Sequence, residues 1–400
     1  MQPPAPADTI EPAELAEALR QAEPEAIGRG TPIQLVRAPG RVNLIGEYTD
    51  FNLGYVLPAA IDREIRVAFV PSPDRQVVLH RLDTGETGEF NLDALPDRRG
   101  SWLDYTVGTA WALAAAGRPT RGIRAVIGSS LPAGAGLSSS AAIELAIAHA
   151  LLAEPAPDDP MILARIAQHA ENSFVGVQSG LMDQFAVSAG RADAALLLDC
   201  RSLAWRPVRL PLDEVSLVVC DTGEVRRLTG SEYNVRRAQC DEAVAILANH
   251  DPAVQSLRDV TLELLEQAEA GGWLEPVVLD RASHVVAENE RVLQAIGAFE
   301  AGDLATIGRL FAASHASLRD LFEVSSAALD AMVEVALETP GVVAARMTGA
   351  GFGGCTVNLV RPDAVGRLSE AVHDRYVART GLEPRMLAVE PARGAGPLAE

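Results

Sequence analysis

The stretch Pro132-Ala133-Gly134-Ala135-Gly136-Leu137-Ser138-Ser139-Ser140-Ala141-Ala142 is a glycine-rich turn that runs into three hydroxyls and then into an apolar helix. Ile123–Ile127 ahead of it reads as a strand, and Ala142, Ile143, Leu145, Ala146 and Leu151 behind it recur at helical spacing. Glycines let the backbone pass close to a bulky anion because they tolerate positive φ and carry no Cβ. The first amides of the following helix point at that anion with the helix dipole behind them. A phosphate therefore has a seat here, and Ser138–Ser140 can add hydrogen bonds or a Mg²⁺ ligand. The competing reading is a tight strand-to-helix turn whose serines only cap the helix.

The bulk numbers bound the partners. A chain of 400 residues suits one large or two fused domains with an ample core. The formal net charge of −20 argues against nucleic acid or an anionic membrane surface as partner. All 34 basic residues are arginine, so a Walker-type lysine, a kinase strand lysine and a Schiff base are excluded together. Charge on a phosphate has to be met by Arg, Mg²⁺ or backbone amides. Cys200, Cys220, Cys240 and Cys355 have no metal-like spacing and read as buried thiols of a reducing compartment. The prolines and acids at the start show no leader pattern, and no apolar run reaches the about 18 residues that cross a bilayer. The expectation is a cytoplasmic protein without membrane or nucleic-acid partner, acting as a monomer.

In chain order, a loose Pro/Ala start precedes a short amphipathic helix over 11–22. A strand over 33–38 leads into Pro39-Gly40-Arg41-Val42-Asn43-Leu44-Ile45-Gly46-Glu47-Tyr48-Thr49-Asp50-Phe51-Asn52. Carboxylates and amides at that density suit a polyhydroxylated ligand, since Asp and Glu accept hydrogen bonds from hydroxyls; a solvated loop reads equally well in isolation. Trp102–Ala115 reads as a helix, and Trp102 with Tyr105 offers either core or an aromatic surface for a purine. A helix over 161–174 carries Glu171. Asp183 then sits among Leu181, Met182, Phe185 and Val187, where a carboxylate needs a partner or a task. Arg206–Asp213 resembles a linker. Residues 255–338 are mostly helical, and a helix is expected over about 363–380. Gly349-Ala350-Gly351-Phe352-Gly353-Gly354-Cys355 has G-x-G-x-x-G spacing but leads into a strand, so it is a glycine turn and not a dinucleotide fingerprint. The residues alone give a helix-rich α+β chain with two glycine turns and one carboxylate-rich loop.

Five stretches together resemble the GHMP small-molecule kinases, and within them the galactokinases. They are Arg41–Phe51, Leu131–Ala142, Gly180–Phe185, Ser231–Arg237 and Met347–Cys355, which span nearly the whole chain in the family's order. The resemblance implies a two-lobed α+β GHMP kinase fold with the active site in the cleft between lobes. The expected division is 1–210 and 211–400, placed at the linker-like stretch. It implies ATP and Mg²⁺ as cosubstrates, galactose as the sugar, and phosphorylation of the anomeric C1 hydroxyl to galactose 1-phosphate.

Carried over by position, Asp183 matches the catalytic carboxylate and Arg41 the arginine beside it. Asp183 could accept the hydroxyl proton, or position the hydroxyl, while Arg41 stabilises charge on the transferring group. Glu47, Tyr48, Asp50, Gly180 and Tyr233 match the sugar site. Gly134, Gly136, Leu137, Ser138, Ser139, Ser140 and Ala141 match the triphosphate turn, with Trp102 near adenine and Ser140 and Glu171 as the Mg²⁺ ligands. The departures are Tyr48 where the family has His, near the sugar's C6 hydroxyl, and Phe51 where it has Tyr. A related sugar 1-kinase acting on arabinose, N-acetylgalactosamine or galacturonate is the first alternative. A non-catalytic sugar sensor is the second, disfavoured by the intact serine motif.

Overall fold

Apolar runs before residue 130 assemble one sheet. In the computed structural model, which describes residues 10–27, 31–132, 134–224 and 230–398, helix α1 (Pro12–Ala22) is followed by β1 (Gln34–Asn43), β2 (Tyr55–Val56) and β3 (Pro58–Ser72). Then come β4 (Gln76–Arg81), β5 (Thr87–Asn91), helix α2 (Leu103–Ala115) and β6 (Gly122–Ser129). The expected loose start and the side chains of Gly230 and Ser231 lie outside the described residues. The sheet runs β1-β3-β6-β4-β5, with β4 parallel to β6 and every other pair antiparallel. β3 is buried almost throughout, with Ala59, Ala60, Ile61, Ile65, Val67 and Phe69 in the core and the intervening Arg63 and Glu64 buried as well.

The serine turn feeds α3 (Ser139–Leu151), which packs on β1 and β3. Ala141, Ala142, Ala146 and Ala150 are fully buried on it, and their small side chains let the helix lie close against the sheet. α4 (Pro160–His169) starts where Asp159 accepts the Met161 amide and Pro160 presets φ, two local signals for a helix start. It runs on into a π turn over Ala170–Val175 that carries Glu171. α5 (Met182–Ala189) presents Asp183 in its first turn.

β7 (Ala194–Asp199) pairs with β2 on one side and β8 (Trp205–Arg209) on the other. The start of the stretch expected to be a linker is therefore a strand. Its Arg206, Pro207 and Arg209 face outward and only Val208 is buried, the pattern of an edge strand, which reads as loop in a sequence.

The second half places helices α6 (Gly230–Leu247), α7 (Leu262–Gly271), α8 (Pro276–Ala301), α9 (Leu304–Asp320) and α10 (Ala327–Leu337) between β9 (Ser216–Asp221) and β10 (Val342–Met347). β11 (Cys355–Val360) and β12 (Arg385–Val389) complete a second, antiparallel sheet in the order β10-β11-β9-β12. The helix expected over 363–380 is interrupted by a π turn at Val372–Tyr376. A last strand, β13 (Gly396–Pro397), returns to the first sheet and pairs with β1 at Val36 and Arg37. The largest apolar cluster is continuous from Ile61, Phe69 and Leu145 to Val292, Phe311 and Val357, so both sheets share one core. All four cysteines are buried thiols, as expected. No helix among the described residues is long and apolar enough to cross a membrane.

Candidate active site

Three segments remote in sequence meet at one ion pair. Arg41, near the end of β1 and 4% exposed, grips Asp183 at both oxygens: Nε donates to Oδ1 at 2.7 Å and Nη2 to Oδ2 at 2.5 Å. Such a two-point arginine–carboxylate contact fixes orientation as well as charge. The third guanidinium nitrogen donates to the Gly136 carbonyl at 2.7 Å, which ties the pair to the glycine turn. Ser138 Oγ donates to Asp183 Oδ2 at 2.5 Å. Ser138 is held at φ +61°, a left-handed conformation that costs roughly 1–3 kcal/mol for a non-glycine residue. Its hydroxyl makes no cap to α3. The capping reading of the serines therefore fails at Ser138.

A cleft of about 230 Å³ opens over Asp183 and is lined by Arg41, Glu47, Tyr48, Asp50, Gly180 and Tyr233. All the residues matched to a sugar site come together there. Asp50 accepts the Phe51 and Met182 amides at 3.0 and 3.3 Å. Burial, reinforced by the nearby Asp183 charge, pushes its carboxyl up to about 6. A Cβ on Gly180 would lie 1.8 Å from Asp50 Oδ2, so only glycine leaves room for that carboxylate. Burial also lifts the Tyr233 hydroxyl well above its ordinary range.

Two of the sugar-site positions do more than line the cleft. Glu47 is engaged on both oxygens, by Arg346 and by the Gly349 amide at 3.2 Å. The Tyr48 hydroxyl donates to the Ala350 carbonyl at 2.5 Å, and its ring packs on Phe322 and Tyr233 at 4.4 and 5.3 Å between centroids. Phe51 packs edge-on to the Tyr48 and Tyr233 rings.

A second cleft of about 230 Å³ continues from the first and shares Tyr105 with it. Trp102, Gly134, Ser139 and Ser140 line it, and the Arg81 guanidinium lies 5.5 Å from the Trp102 ring. Trp102 thus faces a cavity and does not vanish into the core. Gly134 and Gly136 take φ of +74° and +76°. Gly136, Leu137, Ser138 and Ala141 do not line this cleft, and Leu137 and Ala141 are buried. The initial amides of α3 have no partner within the helix.

At the seam between the clefts, Glu171 accepts Ser179 Oγ at 2.5 Å and Gln184 Nε2 at 2.8 Å, and Ser140 hydrogen-bonds to the same carboxylate. Burial raises the Glu171 carboxyl. Two protein oxygens side by side suit a magnesium ion that takes most of its remaining ligands from phosphates and water. Among the described residues no cluster of three His, Cys, Asp or Glu could form a closed metal cage. Ser140 and Glu171 therefore fit an ion that arrives with its nucleotide.

Several supporting residues escaped the sequence reading. Glu144, fully buried one turn after Ser140, shares the Gln184 amide with Glu171 at 3.4 Å, and burial raises it well above the carboxylate range. The signal was a lone acid in the apolar run of α3. Arg346 was legible in the same way, a single charge in the apolar strand Val342–Met347. A larger cavity of about 540 Å³ near Gln34, Phe69, Arg121 and His149 contains none of the matched residues.

A carboxylate clamped by arginine and serine, between a polar cleft and a glycine turn on this α+β fold, defines a small-molecule kinase of the GHMP class. Residues 104–191 and 295–378 match the N- and C-terminal domains of GHMP kinases, and residues 25–71 match the galactokinase galactose-binding signature. A galactokinase of Chloroflexus aurantiacus is 46% identical over 91% of this chain and 93% of its own length. One from a Roseiflexus species is 44% identical over 91% and 93%. The crystal structure of Lactococcus lactis galactokinase complexed with galactose superposes with a TM-score of 0.89 at 35% identity, covering 96% of this chain and 99% of that one. Methanococcus jannaschii mevalonate kinase shares the fold alone, with a TM-score of 0.64 at 17% identity over 92% and 100% of the two chains. The chain belongs to the galactokinase family, and is a sugar kinase with ATP as its phosphoryl donor.

Proposed function

We propose that this enzyme transfers the γ-phosphoryl group of ATP to the anomeric C1 hydroxyl of galactose, giving galactose 1-phosphate and ADP. The observation that carries the reading is Asp183, gripped by Arg41 and Ser138 and lining the polar cleft. Galactose occupies the cleft of Asp50, Gly180 and Tyr233, with Glu47 and Tyr48 closing it. The triphosphate lies on Gly134–Ala141 and the base beside Trp102.

Asp183 orients the C1 hydroxyl and accepts its proton as the oxygen forms the new bond to the γ-phosphorus. The bond from that phosphorus to the β,γ-bridging oxygen breaks and ADP leaves. Arg41, already directed at Asp183 and Gly136, stabilises the charge that spreads over the transferring group. Ser140 and Glu171 would hold Mg²⁺ with the nucleotide, where the ion would supply neutralisation of phosphate charge. The same reading divides the lobes near residue 210 and has a monomer acting in the cytoplasm.

The test is ADP release with ATP, Mg²⁺ and a panel of galactose, arabinose, N-acetylgalactosamine, galacturonate, glucose and mannose. Galactose turning over well ahead of the rest is the expected result. A different winner would move the substrate and point at Tyr48, and binding without turnover would replace the kinase by a sensor.

A further inference from the structure

We infer that Glu288 and Arg346, two buried side chains that do not line the cleft, set the affinity for the sugar by holding the Asn43–Asp50 loop in shape. The inference rests on the sugar site proposed above. That loop contains Gly46 at φ +103° and Tyr48 at φ +66°. A left-handed tyrosine persists only where its surroundings over-determine it. The tethers on the loop are numerous and come from the distant half of the chain.

Arg346 Nη1 donates to the carbonyls of Asn43 and Leu44 at 3.3 and 3.0 Å, while Nη2 meets the Glu47 carboxylate. Glu288 Oε1 accepts the Gly46 amide at 3.0 Å. The same oxygen takes the Ser314 hydroxyl at 2.6 Å, and Oε2 takes Arg291 Nε at 2.6 Å. Burial works against the Glu288 charge, but the Arg291 and Arg346 guanidiniums and the Ser314 hydrogen bond counter it, and the carboxyl is held at about 2. His284, kept neutral by burial at about 4, lies 3.2 Å from the Glu47 carbonyl through Nε2, so that nitrogen carries the proton and Nδ1 accepts from Ser317.

Glu288 and Arg346 are both at 0% exposure. A buried ion pair is poor evidence for net stability and better evidence for a specified geometry. Here the specified geometry is that of the loop that presents Glu47, Tyr48 and Asp50 to the cleft. The nucleotide cleft shares none of these tethers, so the two substrates respond differently to their loss. Glu288 and Arg346 are positioning residues.

The experiment measures KM for galactose, KM for ATP and the melting temperature of the wild type, Glu288→Gln and Ser314→Ala. Glu288→Gln raises the galactose KM by about tenfold or more, the scale of one charge-assisted hydrogen bond, and leaves the ATP KM within about twofold. Ser314→Ala, which removes one neutral donor from the same oxygen, gives a rise of about threefold in the galactose KM alone. Folded variants whose two KM values stay unchanged or move in parallel overturn the inference. If Glu288→Gln fails to fold, Ser314→Ala decides: an unmoved galactose KM overturns it. A wild type inactive on galactose overturns the functional reading instead.

Discussion

The two halves of the cleft are made of different material. Its sugar half is built from charged and aromatic side chains, Arg41, Glu47, Tyr48, Asp50 and Tyr233, each fixed by at least one further group, several of them from α8, β10 and the turn after β10. The nucleotide half is built from Gly134, the small hydroxyls of Ser129, Ser139 and Ser140 at the start of α3, and aliphatic side chains, with Trp102 and Tyr105 as its aromatic residues and Arg81 and Asp83 as its only charges. A polyol offers hydroxyls in fixed directions, so its acceptors must be held in place from behind. A triphosphate offers charge, which backbone amides meet without side-chain support. Mutations should therefore sort by substrate according to which half they enter.

Asp183 lines the sugar half and takes a hydrogen bond from Ser138 of the glycine turn, and should give the largest effect. Asp183→Ala is expected to lower kcat by about 10²–10⁴-fold while calorimetry still detects both ATP and galactose. Full activity in that variant would remove Asp183 from the mechanism, and loss of only one ligand would assign it to one half. Gly180→Ala comes next. The methyl collides with the Asp50 carboxylate, and the galactose KM should rise by about tenfold or more with the ATP KM unchanged, about 1.4 kcal/mol being one decade.

A pH series sharpens the comparison further. Asp50 is raised to about 6 by burial and by Asp183, so its ionised, hydroxyl-accepting form is lost as pH falls through 6. The galactose KM should climb below that pH and the ATP KM should not. The sign for stability is opposite. The folded protein holds this proton more tightly than the unfolded chain, so the contribution of Asp50 to stability falls as pH rises from about 4 to about 6 and is flat above. Asp50→Asn should melt higher than wild type at pH 7, with the gap closing below about pH 4. Equal melting at pH 7 would show that Asp50 is not strained in the fold. The smallest effect belongs to Gly134→Ala. No atom lies within 4 Å of the added methyl, so only the strain of the positive φ acts, and the ATP KM shifts a few-fold while galactose is left alone.

The parts of the site that a sequence can show are those whose chemistry is local. The glycine–serine turn, the carboxylate-rich loop after β1 and the acid at Asp183 each carry their signal within a dozen residues. The family resemblance then placed them in one cleft, where the structure brings them together. What the braces hold was not legible, because Glu288 and Arg346 meet Gly46 and Glu47 across some 240 to 300 residues, and a charge in a helix or an apolar strand does not name its partner. β8 was misread for the opposite reason: Arg206, Pro207 and Arg209 point to solvent, and an edge strand with a polar face has the composition of a linker. Ser138 shows a subtler limit. Its position was legible, but that its hydroxyl turns to Asp183 and not to the helix follows from a backbone angle no spacing rule predicts.

The pairing of β13 with β1 has a consequence for how the molecule comes to exist. Val36 pairs with Pro397 and Arg37 with Gly396, and the Leu398 amide donates to the Leu35 carbonyl. The strand that carries Arg41 therefore keeps one edge unpaired on the ribosome until the whole second sheet and its helices have been synthesised. An open edge of that kind invites pairing with another nascent chain. Contacts so distant in sequence also form late and slowly, since the intervening loop must be closed first. The sheet that carries Arg41 is thus closed along one edge only by a strand some 360 residues further along the chain.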